Sequence, residues 1–199
     1  MSPDTPLSSQ DRPSPLHRWF PHRWRDHELL DCGGGARLER FGELVLIRPE
    51  PRAIWERGMD ESQWRKLSAA EFIPTGRTKG QWVPHQSVPD TWEIQYPLHT
   101  GNNLHFSLEM TRFKHVGIFP EQGANWDWIA QRMGPGKRLL NLFAYTGGAS
   151  LAGRAAGAGG CAAATNLGLA CSVRSASSAS ASLALASAAS ILAAAASAS

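Results

Sequence analysis

Acidic residues are missing from a large part of this chain. Every Asp and Glu lies at or before Asp127, and all eight Trp lie at or before Trp128. Residues 155–199 are dominated by Ala, Ser and Gly, with Arg174 their single charge. Such a segment has almost no charged face or wide apolar stripe from which to build a core. Residues 159–199 are therefore expected to form a low-complexity Ala/Ser-rich tail, disordered from residue 160 onward. Cysteine is also scarce. Cys32, Cys161 and Cys171 are odd in number and lack the paired short spacing of a zinc site or a disulfide framework, which points to a reducing, cytoplasmic setting. His99, His105 and His115 have no metal-ligand spacing and are read as structural, so no metal site is expected. The polar, Pro-rich stretch Ser2 to Gln10 lacks the apolar core of a secretory signal. Ser182 to Ala196 is broken by serines and falls short of the roughly 20 strongly apolar residues of a membrane span. No membrane partner is expected.

What is present divides along the chain. The net charge of +3 suits contact with a polyanion but decides nothing alone. Residues 1–26 are Pro-rich and without hydrophobic period, and are expected to form a flexible arm. In it Arg18, Arg23 and Arg25 interleave with Trp19, Phe20 and Trp24. Such a mixture stacks on and neutralises RNA, or packs loosely on its own domain.

Residues 27–110 read as a small β-rich segment. A strand pattern starts near Glu28, and Ala36 to Phe41, the turn Gly42-Glu43 and Leu44 to Arg48 predict a hairpin stopped by Pro49 and Pro51. Mixed helical spacing of Ile54, Trp55, Met59, Trp64 and Leu67 predicts a short helix over Ala53 to Leu67. A Pro- and Gly-rich connection is expected from Pro74 to Pro89. Alternation of Trp92, Ile94 and Tyr96, then of Leu104, Phe106 and Leu108, predicts a second hairpin around His99 to Asn103. A domain boundary is placed near Met110.

Beyond it, Pro120 to Met133 reads as a helix with Trp126, Ile129 and Met133 on one stripe. Arg138 to Tyr145 reads as a strand buried on both faces of a parallel sheet. Thr146-Gly147-Gly148 is a tight turn, and Ala149 to Ala156 starts a helix. Strand, glycine turn and helix in this order offer backbone N–H groups and a helix N-terminus to an anionic group. The adjacent glycines do not give the G-x-G-x-x-G register of dinucleotide-dependent dehydrogenases, so hydride transfer is disfavoured.

Thr111-Arg112-Phe113-Lys114-His115-Val116-Gly117-Ile118-Phe119-Pro120-Glu121-Gln122, then Asn125-Trp126, then Leu140-Asn141-Leu142-Phe143-Ala144-Tyr145-Thr146-Gly147-Gly148-Ala149-Ser150, resemble class I methyltransferases related to bacterial 23S ribosomal RNA methyltransferases. The likeness starts faintly near Asp26 and ends at about Gly157. It implies an α/β, Rossmann-like class I methyltransferase fold that opens in residues 111–158, truncated here, behind the β-rich segment.

The resemblance further implies S-adenosyl-L-methionine as cofactor and a base of ribosomal RNA as methyl acceptor. Asn141 to Ser150 would form the first strand and cofactor loop, with Asn141, Ala149 and Ser150 among the cofactor-binding residues and Phe143, Ala144, Tyr145, Thr146, Gly147 and Gly148 lining the cofactor's methionine end. Residues Phe113 to Asn125 would cover it, with Lys114, Gln122 and Asn125 supplying polar contacts. For Phe143 and Tyr145 core packing stands as a second reading, and for the glycines an ordinary turn. The family's carboxylate for the ribose hydroxyls has no counterpart, because no Asp or Glu follows Asp127. No catalytic residue is assigned. A non-enzymatic RNA-binding remnant and a methyltransferase acting on a protein or a small molecule remain as alternatives.

Overall fold

The computed structural model describes residues 20–76, 79–164, 170–173 and 182–183. The expected arm therefore lies outside the described residues up to position 19, as does most of the expected disordered tail.

Five strands form the first sheet, in sequential order: β1 (His27–Gly33), β2 (Ala36–Phe41), β3 (Leu44–Pro49), β4 (Ala70–Pro74) and β5 (Gly80–Pro84). The expected hairpin is present, with Phe41 opposite Leu44 and Leu38 opposite Ile47. Alternation gives β2 and β3 two buried faces. Phe41 and Leu46 face the main core, whereas Leu38 and Ile47 pack on Trp64 of helix α1 (Glu61–Leu67).

That helix is shorter than the expected Ala53 to Leu67. Asp60 caps it, accepting from the Gln63 backbone while the Gln63 side chain accepts from the Asp60 N–H. This capping box fixes the start, and Ile54 and Trp55, counted on the apolar stripe, lie exposed in the preceding loop. Strands β4 and β5 form a second hairpin, and β5 lies inside what the sequence suggested was connection. Its Pro84 is tolerated because β5 sits at the sheet edge.

Strands β6 (Thr91–Pro97) and β7 (Asn103–Glu109) pair as expected, Ile94 opposite Phe106. The helix expected over Pro120 to Met133 is a 3₁₀ turn at Pro120–Gln122 followed by α2 (Gly123–Arg132). Trp126 of α2 lies among Tyr96, Phe106 and Trp24, with ring centroids 5.3, 5.0 and 6.0 Å away. The boundary near Met110 does not divide the packing. One buried cluster holds Phe41, Leu46 and Ala70 of the first sheet, Ile94 and Phe106 of the hairpin, and Trp126 and Leu151 of the helices.

Residues 20–26 do not behave as a free arm. Trp24 Nε1 donates to Pro120 O at 2.8 Å, and Arg23 lies 3.5 Å from the Asp127 carboxylate.

The third sheet runs β10 (Ala170–Val173), β9 (Gly160–Ala164), β8 (Arg138–Asn141). Helix α3 (Gly148–Ala155) connects β8 to β9, and the two strands are parallel, with Leu139 opposite Cys161. The first strand of this unit thus has a parallel neighbour, supplied by residues that composition placed in the tail. Strand β8 is shorter and wetter than expected. It ends at Asn141, and Leu140 and Leu142 are exposed. A two-residue strand, β11 (Ser182–Leu183), pairs with β7.

Candidate functional site

The chain turns sharply between β8 and α3. Tyr145 adopts φ 47°, the one positive value among described non-glycine residues, and Gly147 N–H donates to Ala144 O at 2.7 Å. Gly147 follows with φ 91°, a conformation costly for any side chain but glycine's hydrogen. Gly148 answers a different need. A Cβ there would come within 2.8 Å of the Trp126 ring, so its missing side chain seats the start of α3 on α2.

The N-cap of α3 is Gly147, which has no side chain to cap it. The amides of Gly148 and Ala149 precede the first intrahelical bond, from Leu151 N–H to Gly147 O, at the end of the helix that carries partial positive charge. Asn141 pins the turn from the strand side. Its Nδ2 donates to Ser150 Oγ at 3.2 Å, and its Oδ1 accepts from Phe143 N–H at 3.3 Å. Phe143 itself is 81% exposed. An aromatic ring so placed contributes nothing to the core.

The segment from Phe113 to Phe119 reaches this turn through rings. Phe119 lies 4.6 Å from Tyr145 and His115 lies 5.0 Å from Phe119. Partial burial pushes the Tyr145 phenol up. Burial, then the charges of Arg48 and Lys114, push the His115 imidazole down. His115 was read as structural, and its Nδ1 is buried without a hydrogen-bond partner. Phe119 and His115 lie in the segment expected to cover the turn, although neither was singled out as a contact residue.

The residues singled out from sequence fall into three groups. Asn141 and Phe143 to Ser150 are together on the turn, with Ala144, Gly148 and Ser150 buried and Thr146, Gly147 and Ala149 half-buried. Phe113 is exposed on the covering segment, and Gln122 accepts from Asn125 Nδ2 at 2.8 Å on the exposed start of α2. Lys114 is directed elsewhere. Its Nζ donates to Pro49 O at 3.3 Å, at the end of β3.

Beneath that contact lies a charge network. Glu39 and Arg48 are 3% and 1% exposed, and Arg48 Nε donates to Glu39 Oε2 at 2.8 Å. Burial alone would push the Glu39 carboxyl up. The His27 hydrogen bond and the charges of Arg48 and Arg37 outweigh it and hold the carboxyl at about 2. Burial pushes the Arg48 guanidinium down, opposed by Glu39. Among the described residues no cluster of His, Cys, Asp and Glu could hold a metal ion, and no helix is long and apolar enough to cross a membrane.

The family model for S-adenosylmethionine-dependent methyltransferases matches residues 61–180. This chain belongs to that family. The crystal structure of a SAM-dependent methyltransferase from Agrobacterium tumefaciens is 34% identical and superposes with a TM-score of 0.60, over 70% of this chain and 44% of its own. A putative SAM-dependent methyltransferase from Streptococcus mutans is 18% identical, with a TM-score of 0.48 over 74% and 39% of the two chains. SMU.776, a putative methyltransferase complexed with SAH, is 19% identical, with a TM-score of 0.47 over 69% and 37%. The chain thus spans less than half the length of these solved structures. None of the curated proteins compared with it matches. Together with the β8–α3–β9 crossover, the Agrobacterium match makes the fold a Rossmann-like α/β methyltransferase fold behind a β-rich segment.

Proposed function

We propose that the turn from Asn141 to Ser150, covered by Phe113 to Asn125, binds the methionine end of S-adenosylmethionine, and that the protein directs its methyl group to a base of ribosomal RNA. The observation that carries the cofactor reading is the start of α3 at Gly147, a residue with no capping side chain, beside an exposed Phe143. A carboxylate fits there because the Gly148 and Ala149 amides, which precede the first intrahelical bond, can donate to it and the helix end favours negative charge. Phe143 and Tyr145 offer apolar cover to the rest of the ligand. The donor set present therefore fits the group.

When bound, the sulfonium supplies an already activated methyl group. The task left to the chain is to orient it and to exclude water. Asn141 fixes the turn between strand and helix, and the Phe119–Tyr145 contact closes the side next to the covering segment. Residues 128–199 contain no Asp or Glu to meet the ribose hydroxyls. Weak binding is the expected behaviour.

The ribosomal RNA acceptor rests on the likeness of residues 111–150 and is consistent with the net charge of +3. The rival RNA-binding remnant loses support at two of its residues, since Arg23 and Trp24 are engaged within the fold.

Calorimetric titration of S-adenosylmethionine into the full chain and into Phe143→Ala tests the site. Saturable heat that disappears in the variant is expected, and a folded parent that yields none would end the cofactor reading. For the acceptor, binding of ribosomal RNA fragments is measured with and without S-adenosylhomocysteine. Cofactor-dependent binding is expected. RNA binding indifferent to the cofactor favours the remnant, and no RNA binding moves the acceptor to a protein or a small molecule.

A further inference from the structure

The covering segment is held from below by a reciprocal pair of contacts. Arg48 Nη1 donates to Lys114 O at 3.2 Å, while Lys114 Nζ donates to Pro49 O at 3.3 Å, so the end of β3 and the segment grip each other. Arg48 cannot swing away. It is 1% exposed, and Glu39, itself held by His27 and Arg37, fixes its guanidinium from the other side. From Lys114 the contacts continue through its neighbour. Thr111 Oγ1 donates to His115 O at 2.7 Å, the His115 ring meets Phe119, and Phe119 meets Tyr145 in its left-handed conformation.

A buried ion pair is a poor way to add stability, because desolvation offsets the attraction. Here Arg48 has a donor to spare after satisfying Glu39, and that donor is spent on the segment whose Phe119 meets Tyr145 of the glycine turn. We infer that Arg48 is a positioning residue, by which the β2–β3 hairpin sets the covering segment and, through it, the backbone of the cofactor turn. This deepens the cofactor reading and rests on it.

Arg48→Lys keeps the charge beside Glu39 but lacks the fork needed to reach Glu39 and Lys114 O together. In the full chain without ligand, hydrogen exchange of amides 111–119 and 143–150 should quicken about fivefold or more, with β6 and β7 unchanged as an internal reference. Glu39→Gln/Arg48→Gln, which removes both charges at once, gives the same comparison if the single variant does not fold. An unchanged 143–150, or uniform quickening that includes β6 and β7, overturns the inference. If the parent binds S-adenosylmethionine, Arg48→Lys should weaken binding by a similar factor, and equal affinity also overturns it. If the parent does not bind, the cofactor reading falls, while the exchange data still decide whether Arg48 sets the turn.

Discussion

The β2–β3 hairpin and the β8–α3 turn both meet the covering segment, and they treat their side chains in opposite ways. The hairpin buries charge, with Glu39 and Arg48 at 3% and 1% exposure, and must pair it. The turn leaves Phe143 and Leu142 at 81% and 58% exposure. Buried charge demands a single arrangement, since any shift strands a group away from both its partner and water. Exposed apolar rings demand nothing of the fold and are free to serve a ligand. Within one small molecule, the part that is overdetermined lies next to the part that is left open.

Four measurements would break or sharpen this contrast. Trp126 joins the β6–β7 hairpin, through Tyr96 and Phe106, to the turn, through Gly148. Trp126→Ala should cost about 3–5 kcal/mol in denaturant unfolding. A loss below about 1 kcal/mol would mean that the two regions are not joined there.

Acid should act on the hairpin next. Glu39 titrates at about 2 in the fold against an ordinary 4.5. Its folded value is the lower one, so its contribution is present above pH 4.5 and is lost as pH falls from there toward 2. The effect is on the order of 3 kcal/mol, read from urea midpoints taken at successive pH values. Glu39→Gln should flatten that profile, and a profile as steep as the parent's would assign the acid response to other carboxylates.

Asp60→Ala removes the capping box of α1 and should cost about 1 kcal/mol in the same unfolding measurement. The smallest change belongs to the open side. Phe143→Ala should alter stability by no more than about 0.5 kcal/mol, which separates its expected loss of cofactor binding from any loss of fold.

Sequence made the β2–β3 and β6–β7 hairpins legible because period-2 alternation and the Gly42-Glu43 turn are local signals, whereas β4–β5 was hidden in a Pro- and Gly-rich stretch. The glycine turn and α3 were legible for the same reason. The start of α1 was available too, since Asp60 and Gln63 have capping-box spacing, but the apolar residues Ile54 and Trp55 outweighed it. Strand β8 was overextended because Leu142 and Phe143 are apolar, as a buried strand would be, yet here they face outward.

The charge network shows the limit of reading residues one at a time. Arg37 lies directly opposite Arg48, and Glu39 lies on the same face two residues along. A like-charged pair is unfavourable until the diagonal carboxylate is counted. That relation exists only once the register is known. Lys114 was assigned to the ligand by its place in the motif, and nothing in the motif indicates that the chain carries its ammonium to Pro49.

The contact between Gly148 and Trp126 has an optical consequence. The indole lies against the first residue of α3, close enough that a single methyl group at that residue would collide with it. Its excited state therefore samples the electric field of the turn, including any carboxylate brought to the helix end. Subtracting the emission of Trp126→Phe from that of the parent isolates this one indole from the other seven tryptophans. The fold thus carries, directly under its candidate binding turn, a native fluorophore able to report occupancy without a label.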